Sequence, residues 1–219
     1  NNTVSGCFFR DLSIPDVTFV LANVFIVDND FVQTNGAGMI QTFRGIFTYD
    51  KTIFIDNYFL NYENFRFLME IGQTCIFVVT DCFFKDNGIL NKRTQYFGWD
   101  SNILSLWALP YTYFNHLFML VTDKTEILGG FISASPHSGI FELLNSILII
   151  EITETDFEYK GIQLDSSISA KLVNNTFYNL RCNRETFALT YGGICLFASA
   201  SYTFSKGQNN YWVYMKNNT

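Results

Sequence analysis

The chain has 219 residues, of which 48% are hydrophobic and 18% aromatic, and its formal net charge is −6. This composition predicts a folded protein rather than a disordered one, because the apolar residues suffice for a continuous core. The acidic balance disfavours nucleic acid and anionic membranes as partners, since phosphate binding needs clustered Lys and Arg. No apolar run reaches the ~18 residues of a transmembrane helix, so no membrane span is predicted.

Short strands are predicted along the chain, because β-branched and aromatic residues concentrate in short runs that Gly-containing breaks separate. The clearest predicted strands are residues 17–21, 24–27, 53–55, 75–79 and 147–152. The stretch 89–145 is the least regular part, and we expect two degenerate repeats with a longer excursion there. No linker marks a second domain, so residues 1–219 are predicted to form one domain, a piece of a longer chain or assembly.

A phenylalanine recurs along the chain behind a polar bend. The steps between successive markers are 23, 28, 24, 74, 20 and 27 residues, and the long step corresponds to three ordinary ones, which gives a mean period of roughly 25 residues. Gly, Asn or Asp is frequent two positions before the marker, which predicts a tight bend there, because these residues tolerate a left-handed backbone. Asn29 and Asn57 are predicted to stack as an amide ladder. The predicted interior ladder of aromatic rings consists of Phe8, Phe31, Phe59, Phe83, Phe157, Phe177 and Phe204.

Two segments show the repeat most clearly. One is Asn175-Thr176-Phe177-Tyr178-Asn179 followed by Tyr191-Gly192-Gly193-Ile194-Cys195-Leu196, and the other is Phe31-Val32-Gln33-Thr34-Asn35 followed by Gly36-Ala37-Gly38-Met39-Ile40. They resemble the right-handed parallel β-helix of the pectin-lyase-like superfamily, and most of all the repeats of polymorphic outer-membrane proteins and protist surface glycoproteins. The resemblance and the period imply an all-β fold, a single-stranded right-handed parallel β-helix, or solenoid, of about nine coils of roughly 25 residues. A β-sandwich or jelly roll is the alternative if the periodicity is coincidental.

The modification sites point to the secretory route. Three Asn-x-Thr triplets place N-glycan acceptors at Asn1, Asn174 and Asn217, which predicts a secreted or cell-surface glycoprotein. Five cysteines occur without a Cys-x-x-Cys pair, so zinc is not predicted. Cys182 and Cys195 are the most plausible disulfide, and the alternative is that all five cysteines are buried apolar residues.

Three aspartates are the candidates for acid–base or metal chemistry. Asp28 and Asp56 are assigned to one outward column, together with Asn174, and Asp81 lies near the same line. Such carboxylates could hold Ca²⁺ or act on a sugar as an acid–base pair, and a solvated polar face is the simpler interpretation. The Gly-His-Gly and Arg-x-Lys motifs of polygalacturonan hydrolases with this fold are absent from the sequence. We therefore predict no metal site and no cofactor, with Ca²⁺ as an open possibility.

The two histidines give no catalytic assignment. His137 lies in Ser135-Pro136-His137-Ser138-Gly139 without a Gly-x-Ser-x-Gly elbow, so no Ser/His triad and no catalytic residue are predicted. His116 lies among aromatic residues and is predicted to be half-buried packing. These aromatic residues could form a sugar-stacking platform, but a protein interface is the favoured interpretation. They are Trp99, Trp107, Tyr111, Tyr113 and Phe114.

The sequence thus favours a structural function over an enzymatic one. The predicted protein is an extracellular or cell-surface glycoprotein module that spaces, adheres or assembles, for example in a filament. Self-association or contact with neighbouring subunits is expected at the solenoid ends, because uncapped ends expose unpaired backbone groups. The competing class is a carbohydrate-active enzyme or polysaccharide-binding protein on the same scaffold.

Overall fold

The structure is a computed structural model, and every regular element in its described residues is a β-strand. The described residues are 2–4, 9–10, 18–28, 30–32, 40–42, 45–60, 67–72, 75–89, 102–107, 109–122, 130–135, 139–151, 160–164, 168–179, 189–191, 194–196 and 213–219. The all-β class predicted from the sequence is confirmed.

The strands are short, as the runs of β-branched and aromatic residues predict. The first thirteen are β1 (Asn2–Val4), β2 (Phe9–Arg10), β3 (Thr18–Ala22), β4 (Val24–Val27), β5 (Asp30–Val32), β6 (Ile40–Thr42), β7 (Gly45–Asp50), β8 (Ile53–Ile55), β9 (Tyr58–Leu60), β10 (Phe67–Gly72), β11 (Cys75–Thr80), β12 (Phe83–Lys85) and β13 (Gly88–Ile89). The others are β14 (Asn102–Trp107), β15 (Tyr111–Asn115), β16 (Phe118–Thr122), β17 (Gly130–Ser135), β18 (Gly139–Leu144), β19 (Ile147–Glu151), β20 (Lys160–Leu164), β21 (Ile168–Val173), β22 (Thr176–Tyr178), β23 (Leu189–Tyr191), β24 (Ile194–Leu196) and β25 (Val213–Lys216).

The strands form three large parallel sheets and one small one. Sheet 1 has the order β1-β4-β8-β12-β16-β19-β22, sheet 2 the order β2-β6-β10-β14-β17-β20, and sheet 3 the order β3-β7-β11-β15-β18-β21-β25. The small sheet contains β5, β9 and β13, and β23 and β24 form an antiparallel pair. Consecutive strands enter different sheets: β10, β11, β12 and β13 lie in sheet 2, sheet 3, sheet 1 and the small sheet. We call one such passage through the sheets a layer.

The register of sheet 3 corrects the predicted period. Thr18 pairs with Ile46, Ile46 with Ile76, and Ile76 with Tyr111. Layers in this column therefore repeat every 30 residues or so, and the predicted step of roughly 25 residues is too short. The step into the last strand is longer still, since Ala170 pairs with Val213. Sheet 3 has seven strands in the described residues instead of the nine coils expected.

The core lies between the sheets, because alternate residues of each strand point inward. The inward column of sheet 1 runs through Ile26, Phe54, Phe84, Met119 and Leu148, each at most 2% exposed. Phe54 and Phe84 stack with their ring centroids 4.5 Å apart and their planes at 15°. The inward residues of sheets 2 and 3 close the same cluster, and they include Ile71, Leu104, Ile132, Ile162, Phe47, Phe77, Phe114, Phe141 and Leu172.

Two bends connect the strands of a layer, and each holds a residue with a left-handed backbone. All the non-glycine residues of positive φ in the described chain lie at these bends, with φ between 47° and 57°. Asn and Asp dominate because their short side chains tolerate this region best. The first bend, from sheet 3 to sheet 1, places Asn23, Lys51, Asp81, His116, Asn145, Asn174 and Asn217 in one column. The second bend, after the strands of sheet 1, contains Asp28, Asp56, Asp86 and Asn179.

The predicted ladder of seven Phe residues is not a single column. Phe31 pairs with Phe59 in the small sheet, whereas Phe83 pairs with Ile53 and Phe118 in sheet 1. Phe83 is half-buried, and its neighbour Phe84 points into the core instead. The interior assignment of Phe83 is therefore wrong, because Phe83 lies two residues after its left-handed bend residue, Asp81, whereas Phe31, Phe59 and Phe177 lie three residues after theirs.

The other predicted ladder members are placed as follows. Phe177 pairs with Leu148, on the inward side of sheet 1, and packs against the core although it is partly exposed. The side chains of Phe31 and Phe59 are not among those described. Phe8, Phe157 and Phe204 lie outside the described residues.

The described residues of the stretch 89–145 continue the large sheets. β14, β15 and β16 pair with both neighbours in sheets 2, 3 and 1, respectively. More residues separate the layer of β14, β15 and β16 from the layer before it than from the layer after it. Asp81 and His116, which are in contact, are 35 residues apart, and Asn115 and Asn145 are 30 residues apart. The extra residues are thus accommodated without loss of register.

Candidate functional site

The predicted glycan acceptors Asn174 and Asn217 lie on adjacent layers of the first bend. Both are exposed. The Asn217 Nδ2 donates to the Asn174 Oδ1 at 3.1 Å, and the Asn174 Nδ2 donates to the Asn145 Oδ1 at 3.1 Å. Asn145 in turn donates to Asn115 at 2.8 Å, so an exposed amide ladder runs across four layers. Asn1 lies outside the described residues.

A second set of amides lies inside the bends. The Asn57 Nδ2 donates to the Asn87 Oδ1 at 2.7 Å and to the carbonyl oxygen of Ile26 at 2.9 Å. The Asn175 Nδ2 donates to the Asn218 Oδ1 at 3.0 Å. These buried amides satisfy backbone groups that the bends would otherwise leave unpaired. The expected partner of Asn57, Asn29, lies outside the described residues, and the partner that the structure does describe is Asn87.

The candidate carboxylates belong to two different bends. Asp28 and Asp56 lie one layer apart in the second bend, where the Asp28 N–H donates to the carbonyl oxygen of Ile55 at 3.1 Å. The next member of this column is Asp86, so the expected alignment with Asp81 and with Asn174 is wrong. Within the described ranges, no three His, Cys, Asp or Glu side chains are close enough together to hold a metal ion.

Asp81 is instead paired with His116, one layer away in the first bend. The His116 Nδ1 and the Asp81 Oδ1 are 3.1 Å apart, and both side chains are about half exposed, at 58% and 48%. The prediction that His116 is half-buried packing is therefore wrong, because the left-handed bend turns its side chain outward. A solvated pair of this kind contributes little to stability. His137 lies outside the described residues.

Two of the predicted platform aromatics, Tyr111 and Tyr113, lie on the outer face of sheet 3. Their ring centroids are 6.4 Å apart and their planes differ by 14°. The Tyr111 hydroxyl donates to Glu142 at 3.0 Å, and Lys171 donates to the other oxygen of the same carboxylate at 3.1 Å. Burial, together with the hydrogen bond and charge of Glu142, raises the pKa of Tyr111 to about 12.

The remaining platform residues do not join this pair. Phe114 is fully buried, because it alternates with Tyr113 along β15 and points into the core. Trp107 ends β14 in sheet 2, and its side chain is not described. Trp99 lies outside the described residues.

The described cysteines are structural in character. Cys75 and Cys82 are buried as thiols, and burial raises the pKa of the Cys82 thiol to about 12. A protonated buried thiol is a poor nucleophile. Cys195 lies in β24, but Cys182 is outside the described residues, so their disulfide remains a prediction.

The outer side of sheet 1 is a continuous apolar surface that sequence reasoning missed. Its residues alternate with the core residues, yet nearly all of them are apolar too. We call this surface the outer apolar face; its side chains are Phe25, Val27, Ile53, Ile55, Phe83, Phe118, Leu120, Ile147, Ile149 and Tyr178, with Lys85 and Thr176 as the polar residues among them.

Aromatic stacking continues across this face. The rings of Phe83 and Phe118 stack with centroids 5.0 Å apart and planes at 11°. Ile147 is 38% exposed and Tyr178 60% exposed at the far edge. The sequence does carry a signal for this face: Ile53-Phe54-Ile55 and Ile147-Leu148-Ile149-Ile150 are unbroken apolar runs, which are typical of parallel strands covered on both faces.

Comparisons with known proteins gave no match, whether to family models, to curated proteins or to solved structures. In the part of the chain that the structure describes, no helix is long and apolar enough to cross a membrane.

Proposed function

We propose that the chain is a single-stranded right-handed parallel β-helix with a structural role, an extracellular or cell-surface module that spaces, adheres or assembles. The observation that carries this proposal is the repeated path of each layer through sheets 2, 3 and 1 with constant register. A coil that repeats its path in this way grows along one axis, and its contacts are made mainly with the neighbouring layers.

The side-chain ladders support a stiff body. Amide ladders line the inside and the outside of the first bend, and aromatic rings stack on both faces of sheet 1. Each layer is thus held to the next by side-chain contacts besides the backbone hydrogen bonds of the sheets. Secretion and N-glycosylation belong to the same proposal, and the exposure of Asn174 and Asn217 supports it.

Electron microscopy and small-angle scattering of the purified chain test this function. Seven layers at about 4.8 Å give an axial length of about 34 Å, close to the diameter of any compact protein of this size, so the distinguishing expectation is longer rods formed by particles that stack end to end. Intact mass before and after glycosidase treatment of secreted protein tests the acceptors. A particle that stays monomeric at high concentration, with no rods in the micrographs, would contradict the assembling role.

A second candidate function is polysaccharide binding at Tyr111 and Tyr113. The nearly parallel rings beside the Glu142–Lys171 ion pair favour it, because aromatic faces and paired polar groups are the usual components of sugar sites. Binding of neutral and acidic polysaccharides by the unchanged chain and by Tyr113→Ala would test it. Val20→Ala, on the same outer face and 55% exposed, is the matched control.

A further inference from the structure

We propose that the outer apolar face is a self-association surface, covered in solution by the same face of a second copy. This inference rests on the proposed assembling function and identifies the partner and the surface. It differs from the contact at the solenoid ends, because it joins two copies side by side.

Both sides of sheet 1 are apolar. A parallel sheet is normally covered on both faces, because its strands are apolar on both. The inner side is covered by the core. The outer side carries two largely apolar columns across six strands. The first runs through Phe25, Ile53, Phe83, Phe118 and Ile147 and ends at Thr176, and the second contains Lys85.

The outer apolar face carries almost no charge. Among its described side chains, Lys85 is the single charged one between the apolar residues, and Glu151 lies at the margin. A surface with one cation does not attract nucleic acid or an anionic membrane, and the whole chain carries a net charge of −6. The long stem of Lys85 can lie along apolar neighbours while its ammonium group reaches the solvent. An apolar protein surface is therefore the matching partner.

The outer apolar face is flat and small. Six strands at about 4.8 Å and two outward residues per strand give a face of roughly 29 by 12 Å, or about 350 Å² of flat area. A second identical face matches this extent, and two sheets pack face to face at about 10 Å. Even counted on both copies, this flat area is smaller than the total of about 1200 Å² at which specific interfaces begin. We therefore expect weak association, with a dissociation constant in the micromolar range.

The stacked pair of Phe83 and Phe118 lies near the middle of the face, where aromatic side chains contribute most to binding. A two-fold arrangement places each copy's aromatic pair against the partner's face. Ile147 and Tyr178 lie further out on the same face and are more exposed.

Sedimentation velocity over a concentration series tests the proposal, with the unchanged chain expected to rise above its monomer mass of 25.2 kDa. Phe118→Arg should weaken the association by about tenfold or more, because it places a cation in the middle of the interface. Ile147→Arg should weaken it less, and since this side chain is already 38% exposed, the fold should tolerate the change. Val20→Arg, on sheet 3 and 55% exposed, should leave association unchanged.

The outcomes separate this inference from the proposed function. Association that survives in both folded variants overturns the assignment to the outer apolar face and leaves the assembling function standing. An unchanged chain that remains monomeric up to about 500 µM, well above a micromolar dissociation constant, overturns both. A third outcome is that the unchanged chain does not self-associate but binds phosphatidylcholine vesicles, and that Ile147→Arg loses this binding. Lipid would then be the occupant of the face, and the proposal of a second copy would be overturned.

Discussion

The inner and outer faces of sheet 1 each carry a stacked pair of phenylalanines, and the two pairs differ in how far they are buried. On the inner face Phe54 and Phe84 stack at 4.5 Å and are completely buried. On the outer face Phe83 and Phe118 stack at 5.0 Å and keep part of their surface in water. The inner pair therefore contributes its full burial to folding. The outer pair keeps apolar area that a partner can still cover.

The largest difference is expected between two neighbouring phenylalanines. Phe84→Ala should lower the free energy of unfolding by about 3–5 kcal/mol, because it leaves a cavity in a closed core. Phe83→Ala should cost about 1 kcal/mol, since only part of the ring is buried and water fills the space. Urea denaturation of both variants measures the difference. Equal losses would show that the two faces are not distinct.

The buried and the exposed amide ladders should also differ in their contribution to stability, with the larger loss expected in the buried one. Asn87→Ala removes the acceptor of the Asn57 amide and leaves buried polar groups without a hydrogen-bond partner. It should therefore lower the free energy of unfolding by about 2–3 kcal/mol. Asn145→Gly, in the exposed ladder, should cost less than about 1 kcal/mol, because water replaces its partners and glycine keeps the left-handed bend. Thermal or urea unfolding compares them, and a larger loss for Asn145→Gly would reverse the proposed roles.

The bend itself should be sensitive to backbone preference, not to side-chain contacts. Lys51 is exposed and has a φ of 48°. Lys51→Ile should cost about 1–2 kcal/mol, because a β-branched residue is strained in the left-handed region. Lys51→Gly should be neutral or slightly stabilising in the same urea experiment. If the isoleucine variant proved as stable as the glycine variant, the bend would not be left-handed at this layer.

The effect expected to matter least near neutral pH is electrostatic and lies on the outer face of sheet 3. Because the pKa of Tyr111 is raised from 10.0 to about 12, its protonated hydroxyl contributes to the stability of the fold. This contribution is complete below pH 10 and is lost as the pH rises through 12. Glu142→Gln should lower this pKa toward 10, since the negative charge disappears while burial remains. Phenolate absorbance during a pH titration, with Tyr111→Phe to assign the signal, measures the shift. If Glu142→Gln left the titration of Tyr111 unchanged, burial would be the only cause of the raised pKa.

Local features of the fold were predictable because burial and strand propensity act over a few residues. The predicted strands 24–27 and 53–55 coincide with β4 and β8, and the predicted 75–79 and 147–152 match β11 and β19 to within one residue. The bend residue was expected two positions before each Phe marker, at Asn29, Asn57, Asp81 and Asn175. The left-handed residue is Asp81 in one bend and the preceding residue, Asp28, Asp56 or Asn174, in the other three, so these positions were predicted to within one residue.

The candidate sites were less predictable, since they depend on which layers lie side by side. Ile55-Asp56-Asn57-Tyr58 and Val173-Asn174-Asn175-Thr176 have the same local pattern, a left-handed polar residue followed by an inward amide. One belongs to the second bend and the other to the first. Aligning them produces the short period, the mixed Phe ladder and the false grouping of Asp81 and Asn174 with Asp28 and Asp56.

The sequence by itself determined the all-β class, the strand positions and the polar bends, because each follows from the preferences of neighbouring residues. Only the tertiary structure decided the register, and therefore which phenylalanine faces the core. Phe83 and Phe84 differ by one position, and alternation along a strand assigns them to opposite faces without saying which face is inside. That choice is made by the strands of the neighbouring layers, which bury Phe84 against Phe54 and leave Phe83 on the outer apolar face.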